Sequence, residues 1–214
     1  MFTLYGFDFS VPVNKVRYVA NYGGIHFDYV KRNPAEGELR SEEHLRLHPA
    51  GKVPVVEIDG FVLFESNAII RYLSRTRDLS LYPEDAAEQA RVDQWMDFVS
   101  IHVGNGMNRV FGNRVIFPMF GLDVDERSEK DGRGFLERFL PVVNEQLKKA
   151  EYLCGDTLTI ADINLIATTD PAELAEVDIG EYPELDAYRK RLIPQDFYQK
   201  CFAAYSDCFA TISG

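Results

Sequence analysis

Gly-Lys-Val-Pro-Val-Val-Glu-Ile-Asp-Gly-Phe-Val-Leu-Phe-Glu-Ser, residues 51–66, is the stretch that decides the fold of the first part of the chain. Residues 55–58 and 61–64 are short apolar runs rich in β-branched and aromatic side chains, which are typical of strands. Asp59-Gly60 between them is a strong signal for a two-residue hairpin turn. The stretch therefore predicts two antiparallel strands.

Pro54 marks the entrance to the first of these strands, because proline cannot donate a hydrogen bond to a strand ladder. X-Pro is also the one kind of peptide bond for which the cis form costs little, about 0.5–1 kcal/mol. We therefore predict a cis Val53-Pro54 bond and a bend that leaves the backbone of Val53 unpaired.

Ser66 stands where a helix N-cap is expected, ahead of a run with Ile69, Tyr72 and Leu73 on one helical face. The free N–H groups of a first helical turn attract an anion. Free backbone at Val53 beside such a helix start could hold a small extended peptide that carries a carboxylate. Taken singly, Ser66 is equally an ordinary helix cap, and Glu65 is equally a solvated charge at a strand end.

Upstream of this stretch, the pattern alternates between strand and helix. Strands are predicted at residues 2–5 and 26–30, a helix begins near Val11, and a weaker helix covers residues 41–47. The resulting order β-α-β-α-β-β-α is a thioredoxin-like layout. A right-handed crossover in its β-α-β unit places the loops at Ser10 and Pro54 at one end of the sheet.

Strand signals end after the polar stretch at residues 78–83, which we interpret as a linker. We predict a thioredoxin-like domain at 1–77 and an all-helical bundle domain at 84–214. Helices are expected from about residue 86 and at about 126–150, 183–191 and 195–209. Thr159 and Asp162 form a capping box in which each residue bonds the backbone N–H of the other, so this motif serves folding.

The composition argues against several classes of protein. The chain has 214 residues, 46% hydrophobic content and a formal net charge of −11, which disfavours binding to nucleic acids and to anionic membranes. No apolar run is long enough to span a membrane, and no signal pattern follows Met1, so a cytoplasmic location is expected. Three cysteines without metal-like spacing predict reduced thiols and no metal site.

Two segments carry a resemblance to a known family. Residues 49–55, Pro-Ala-Gly-Lys-Val-Pro-Val, followed by residues 64–69, Phe-Glu-Ser-Asn-Ala-Ile, resemble the glutathione-binding half of cytosolic glutathione transferases. Residues 95–162 look most like the serine-type phi and theta branches. The resemblance implies the glutathione transferase fold, with the backbone of Val53 before cis-Pro54 on the cysteinyl part of glutathione and with Glu65 and Ser66 on its γ-glutamyl end.

Ser10 is the candidate catalytic residue. It lies in the loop after the first strand, where thioredoxin-like redox enzymes carry a cysteine, and this chain has no cysteine before Cys154. The resemblance implies that the Ser10 hydroxyl donates a hydrogen bond to the glutathione thiolate. From the local sequence alone Ser10 could merely cap the helix that begins near Val11, and Tyr5 is a rival hydroxyl donor.

Three further residues compare with the family at the glycyl end of glutathione. Lys52 matches a lysine or glutamine that contacts this end, although it could be a solvated loop lysine. Arg40 stands where the phi pattern has a His-Lys pair, and its guanidinium could bind a carboxylate through two parallel hydrogen bonds, that is, as a bidentate partner. His48 replaces the usual asparagine before Pro49, and here a surface histidine is favoured over a ligand. The electrophile pocket is assigned to Phe7, Phe9, Met107 and Phe120.

The resemblance therefore predicts a glutathione transferase. With glutathione as co-substrate, it would activate the thiol as thiolate, conjugate it to small hydrophobic electrophiles and also reduce organic hydroperoxides, acting as a homodimer. The alternative is a non-catalytic interaction module with the same fold, as in elongation factor gamma subunits. Those proteins usually join the fold to further domains, and this chain ends at Gly214.

Overall fold

The computed structural model of the protein describes residues 1–210, which form two compact units. The first unit comprises Met1–Leu79 and the segment that begins at Asp196, and the second comprises Ser80–Gln195. The boundary after Leu79 falls within the stretch interpreted as a linker. The last four residues of the predicted helical domain, 211–214, lie outside the described residues.

A four-stranded mixed sheet forms the centre of the first unit. Its strands are β1 (Phe2–Gly6), β2 (Phe27–Lys31), β3 (Val55–Ile58) and β4 (Phe61–Phe64), in the spatial order β2-β1-β3-β4. β1 is parallel to β2 and antiparallel to β3, and β3 is antiparallel to β4. Asp59 and Gly60 both have positive φ, at 48° and 86°, as a two-residue hairpin turn of this type requires. The predicted hairpin and the thioredoxin-like fold are confirmed.

Three helices accompany the sheet, namely α1 (Val11–Tyr22), α2 (Glu42–Leu47) and α3 (Ser66–Thr76). In α3, Ile69, Ile70 and Leu73 are fully buried, which is the i, i+1, i+4 stripe of a helix packed on one side. α1 differs, because every residue from 13 to 20 is buried. Short 3-10 turns at Pro34–Glu36 and Glu38–Arg40 occupy the loop before α2.

The second unit is helical, as predicted. Its helices are α4 (Ala86–Phe98), α5 (Gly104–Phe111), α6 (Phe117–Met119), α7 (Glu126–Leu147), α8 (Ile160–Thr169) and α9 (Pro183–Leu192). The predicted long helix from Ala86 is interrupted by π-helical segments at Val99–Val103 and Gly112–Ile116. Gly106 allows α5 to approach α7 closely, since a Cβ there would lie 3.0 Å from the carbonyl oxygen of Gly132.

The capping box at the start of α8 is confirmed. The Asp162 carboxylate accepts four hydrogen bonds, from the N–H and hydroxyl of Thr159, the N–H of Leu153 and the hydroxyl of Tyr188. Both Asp162 and Thr159 are buried. Burial raises the pKa of Asp162 in spite of these bonds.

The C-terminal segment corrects the predicted domain assignment. The single helix expected at 195–209 is wrong, because the segment forms two short helices, α10 (Asp196–Gln199) and α11 (Asp207–Ala210). It packs on the first unit and not with the helical bundle. Tyr198 of α10 stacks on Tyr18 of α1 with ring centroids 5.1 Å apart, which anchors this segment on the first unit.

Two negative findings hold for the part of the chain that the structure describes. None of its helices combines the length and the apolar character that crossing a membrane would require. Among residues 1–210, no group of three or more His, Cys, Asp or Glu side chains could hold a metal ion.

Candidate active site

One end of the sheet brings the predicted site residues of the first unit together. Tyr5 of β1 pairs with Val55 of β3, and Val55 in turn pairs with Phe64 of β4. The loop after β1, the entrance to β3 and the exit from β4 therefore lie side by side. Val53-Pro54 immediately precedes β3, Glu65-Ser66 immediately follows β4, and Ser10 lies at the end of the short loop after β1. As predicted, the loops at Ser10 and Pro54 share one end of the sheet.

Ser10 is the buried N-cap of α1, with 7% of its surface exposed. Its oxygen accepts a hydrogen bond from the N–H of Val13 at 3.4 Å. This bond uses a lone pair and leaves the hydroxyl hydrogen without an acceptor among residues 1–210. Pro12 has no N–H, and the N–H of Val13 is already used, so the N–H of Val11 is the further donor left at this helix start. The helix-cap role and a donor role are therefore compatible.

The loop that carries Ser10 is held from the C-terminal segment. The hydroxyl of Tyr205, which is buried, donates to the carbonyl oxygen of Phe9 at 2.7 Å. The amide of Asn14 donates to the carbonyl oxygen of Asp8 at 2.9 Å. These bonds fix the backbone immediately before Ser10. Sequence reasoning missed Tyr205, because its partner is nearly two hundred residues away in the chain.

Val53 presents unpaired backbone, as predicted. The Val53-Pro54 bond is cis. β3 begins only at Val55, and neither the N–H nor the carbonyl of Val53 has a partner among residues 1–210. Val53 is half-buried and Pro54 is buried. The entrance to β3 thus offers one backbone donor and one backbone acceptor at Val53.

Glu65 and Ser66 form an unusual helix start, and the predicted cap is displaced by one residue. The N-cap of α3 is Glu65, and Ser66 is the first helical residue. Glu65 has φ 69° and ψ 107°, a conformation that costs a non-glycine residue about 1–3 kcal/mol. Its side chain makes no capping bond. Among residues 1–210, the N–H groups of Ser66 and Ala68 in the first turn of α3 have no hydrogen-bond partner, and the exposed carboxylate of Glu65 precedes them.

Two buried histidines hold the loop before β3. His44 is fully buried, and its Nε2 lies 2.9 Å from the carbonyl oxygen of Lys52. His48 is also buried, so the expectation of a surface histidine is wrong. The Nδ1 of His48 accepts the N–H of Ala50 at 3.2 Å, and its ring packs on Phe64. Burial lowers the pKa of His48, against the attraction of the Glu65 carboxylate.

Lys52 and Arg40 flank this loop with exposed cationic groups. One guanidinium nitrogen of Arg40 donates to the carbonyl oxygen of Ala50 at 3.3 Å. This contact holds the guanidinium of Arg40 next to Ala50. The two side chains place positive charge next to the entrance of β3.

Tyr5 is not available as a thiolate donor. Its hydroxyl donates to the Glu57 carboxylate at 2.5 Å. This bond, together with burial, raises the pKa of Tyr5 to about 12. A phenol has a single hydrogen to donate, so Tyr5 cannot serve a second acceptor while it is bonded to Glu57.

Of the four residues assigned to the electrophile pocket, two lie in each unit. Phe7 and Phe9 follow β1, with ring centroids 4.4 Å apart. Phe120 is half-buried at the end of α6. Met107 has only 1% of its surface exposed within the helical core, so its side chain offers almost no surface to a ligand.

Lys15 is a second residue that sequence reasoning missed. Its side chain has 6% of its surface exposed, and Nζ lies 3.5 Å from Oδ1 of Asn67 in the first turn of α3. Burial lowers the pKa of Lys15 to about 8, against the attraction of Glu65. The available signal was that α1 carries Asn14, Lys15 and Arg17 among valines, because charges on a helix buried on all sides must have partners.

The fold and the site define a class of protein: a thioredoxin-like unit with a cis-proline loop beside an open helix start, in a chain that also has a helical unit. Comparison with known proteins agrees. Residues 1–75 match the model of the glutathione S-transferase N-terminal domain, and residues 110–196 match that of the C-terminal domain.

Relatives along the whole chain give the particular family. A probable glutathione S-transferase GSTF2 from Oryza sativa subsp. japonica is 31% identical over 190 residues, which cover 86% of this chain and 85% of that protein. The solved structure of glutathione S-transferase-I bound with lactoylglutathione has a TM-score of 0.85 and 30% identity, covering 95% of this chain and 99% of that one. The chain belongs to the glutathione S-transferase family.

A different kind of relative also matches. A probable elongation factor 1-gamma 2 from Arabidopsis thaliana is 29% identical over 87% of this chain. The match covers only 45% of that longer protein. The same fold thus also occurs as part of a protein named for translation elongation.

Proposed function

We propose that this protein binds glutathione at the sheet end where Ser10, Val53 and Ser66 meet, and that it transfers the glutathione sulfur to small hydrophobic electrophiles. The names of the rice relative and of the lactoylglutathione complex support glutathione as co-substrate. The observation that carries the proposal is the pairing of open backbone at Val53 with the uncapped start of α3.

In this proposal each part of the tripeptide has a matching group. The backbone of Val53 pairs with the cysteinyl residue in extended conformation, as an added strand would. The γ-glutamyl carboxylate binds the Ser66 hydroxyl and the N–H groups of Ser66 and Ala68, and Glu65 binds the ammonium. Lys52 and Arg40 take the glycyl carboxylate, with Arg40 in the place of a His-Lys pair.

Ser10 lowers the thiol pKa in this proposal. A free cysteine-like thiol has a pKa of about 8.5, so only a few per cent is thiolate at neutral pH. The Ser10 hydroxyl and the N–H of Val11 are two donors at a helix start, where the dipole also favours negative charge. A shift of about two units corresponds to ~2.7 kcal/mol, which one charge-directed hydrogen bond and the dipole can supply. The engagement of Tyr5 with Glu57 supports Ser10 over Tyr5.

We propose that Phe7 and Phe9 of the first unit offer the electrophile an aromatic surface, whereas the burial of Met107 removes it from this assignment. The same thiolate can attack an organic hydroperoxide, releasing the alcohol and leaving glutathione sulfenic acid. A second glutathione then forms the disulfide and water. We propose this reduction as a second activity of the same site.

The rival proposal is a non-catalytic interaction module, which the elongation factor relative supports. Retention on glutathione-agarose and turnover of chloro-dinitrobenzene separate the two proposals. We expect retention and turnover. Retention without turnover of chloro-dinitrobenzene or cumene hydroperoxide favours the interaction module. If the protein shows neither retention nor turnover, the proposed glutathione site is rejected.

Ser10→Ala tests the catalytic assignment. We expect unchanged glutathione binding, a higher pKa of the bound thiol and turnover lower by one to two orders of magnitude, about the same ~2.7 kcal/mol. The measurement is thiolate absorbance near the ultraviolet edge against pH, with saturating glutathione, for wild type and variant. Identical titrations and identical turnover would leave Ser10 as a helix cap only.

We also propose a homodimer in the cytoplasm. β4 is an edge strand, and Phe61, Val62 and Phe64 on it are about 40% exposed, a surface that monomers normally protect. None of the three cysteines forms a disulfide within residues 1–210, which fits a reducing compartment. Light scattering at micromolar concentration should give twice the chain mass of 24.4 kDa, and a value near 24 kDa would contradict the dimer.

A further inference from the structure

Lys15 is a buried cation next to the first turn of α3. It projects from α1, one turn after Ser10, and its Nζ reaches Asn67, the second residue of α3. With 6% of its surface exposed, the ammonium is almost fully removed from water. Lysine is very rarely buried to this extent without a charged partner in contact.

The contacts of the ammonium do not compensate for this burial. A lysine ammonium has three N–H donors. One of them reaches Asn67 Oδ1, at the 3.5 Å limit of a hydrogen bond, and the other two have no acceptor among residues 1–210. The Glu65 carboxylate, just before α3, attracts the Lys15 ammonium electrostatically. Asn67, which contacts the ammonium, is neutral. Glu65 is exposed, and water screens its attraction.

We propose that the Lys15 ammonium is the buried cationic element of the carboxylate site at the start of α3, and that glutathione binding is therefore coupled to protonation of Lys15. The inference rests on the proposed function, because the carboxylate in question is that of the γ-glutamyl group. It adds a residue outside the matched glutathione motif and makes the strength of binding depend on pH.

The sign of the coupling follows from linkage. In the free protein the pKa of Lys15 is lowered to about 8, so roughly nine tenths of the molecules lack this proton at pH 9. A bound carboxylate favours the charged form and raises that pKa. Binding therefore takes up a proton near pH 8, and affinity falls about tenfold between pH 7 and pH 9 as the binding-competent fraction declines.

S-Methylglutathione is the probe that tests this inference, because it has no thiol to titrate. Calorimetric titrations at pH 7 and pH 9, in buffers of different ionisation enthalpy, measure affinity and proton uptake together. Lys15→Arg is the matched variant, since arginine stays charged at pH 9. It reports the pH dependence that arises from the ligand's own amine and from Glu65.

For wild type we expect a decline in affinity between pH 7 and pH 9 that exceeds the decline in Lys15→Arg by about tenfold, with net proton uptake at pH 8. Lys15→Met should bind at least tenfold more weakly at pH 7. Equal pH dependence in wild type and Lys15→Arg, or unchanged affinity in Lys15→Met, would overturn the inference while the proposed function stands. Failure of wild type to bind the probe at pH 7 would instead reject the glutathione site itself.

Discussion

Two helix starts in this protein show opposite solutions to the same problem. α8 begins at a buried capping box in which the Asp162 carboxylate receives four hydrogen bonds. α3 begins after Glu65, whose side chain makes no capping bond and whose backbone has positive φ. Every helix leaves its first N–H groups without intrahelical partners. At α8 the capping box supplies partners, whereas at α3 the side chain of the N-cap residue supplies none.

We interpret the start of α8 as an element that serves folding and propose that the start of α3 serves binding. At α8 the chain supplies its own anion, and the buried network fixes how the core helix begins. At α3 we propose that the N–H groups of Ser66 and Ala68 and the buried Lys15, next to the strained Glu65, bind an external anion. A helix start that is left incomplete at a cost in stability is a candidate binding site, since strain persists where surrounding structure imposes it.

Breaking the complete start should have the largest effect on stability. Asp162→Asn keeps the volume but replaces one acceptor oxygen by a donor, so donors from Thr159 and its neighbours lose their partner. We expect a loss of about 3–5 kcal/mol in the free energy of unfolding, measured by urea denaturation. Asp85→Asn, at the exposed cap of α4, is the matched control and should change stability by less than about 0.5 kcal/mol. Equal losses in the two variants would contradict this reading.

Removing the buried cation Lys15 next to the start of α3 should increase the free energy of unfolding. The folded-state pKa of Lys15, about 8 against an ordinary 10.5, means that protonating it costs the fold about 3 kcal/mol at neutral pH. Because the folded pKa is depressed, this cost disappears as the pH rises from about 8 to 10.5. We expect Lys15→Met to be more stable than wild type by about 3 kcal/mol at pH 7 and by much less at pH 10. If the stability difference between Lys15→Met and wild type is the same at pH 7 and pH 10, it does not arise from the protonation of Lys15.

Glu65→Gly separates strain from binding. Glycine accepts positive φ without penalty, so we expect a gain of about 1 kcal/mol in stability. Loss of the carboxylate should weaken glutathione binding by about 1.5–3 kcal/mol. Glu65→Ala removes the same carboxylate and retains the strained backbone. The comparison fails if Glu65→Ala gains as much stability as Glu65→Gly.

The smallest effect on glutathione binding is expected from His44, which supports the loop before β3. His44→Phe keeps an aromatic ring in the core but loses the bond to the carbonyl of Lys52. We expect KM for glutathione to rise severalfold, about 1 kcal/mol, with kcat unchanged. His26→Phe, at an exposed position, serves as the control. A fall in kcat with KM unchanged would mean that His44 acts on the chemical step.

What the sequence predicted well depends on neighbouring residues. The Asp59-Gly60 turn, the cis Val53-Pro54 bond and the Thr159/Asp162 capping box each arise within a few residues, and each is confirmed. Ser66 shows the limit of this kind of reasoning. It has the residue type of a cap, but Glu65 is the N-cap and the helix begins at Ser66, one residue earlier than a cap at Ser66 would place it.

What the sequence did not predict depends on distant contacts. The spacing of Cys201 and Cys208 fits one helix face, yet the segment forms two short helices, of which α10 packs on α1 through Tyr198 and Tyr18. The burial of Lys15 and His48 likewise follows from elements that come together only in the fold. No local pattern distinguishes such residues from solvated ones.

Backbone amide shifts test most directly the claim that the start of α3 is a binding site and the start of α8 is not. Proton–nitrogen correlation spectra recorded during titration with S-methylglutathione report on residues 66–68 and on residues 160–162 in one experiment. We predict large, saturable shifts at 66–68 and none at 160–162. Saturable binding that leaves the amides of 66–68 unmoved would contradict the account.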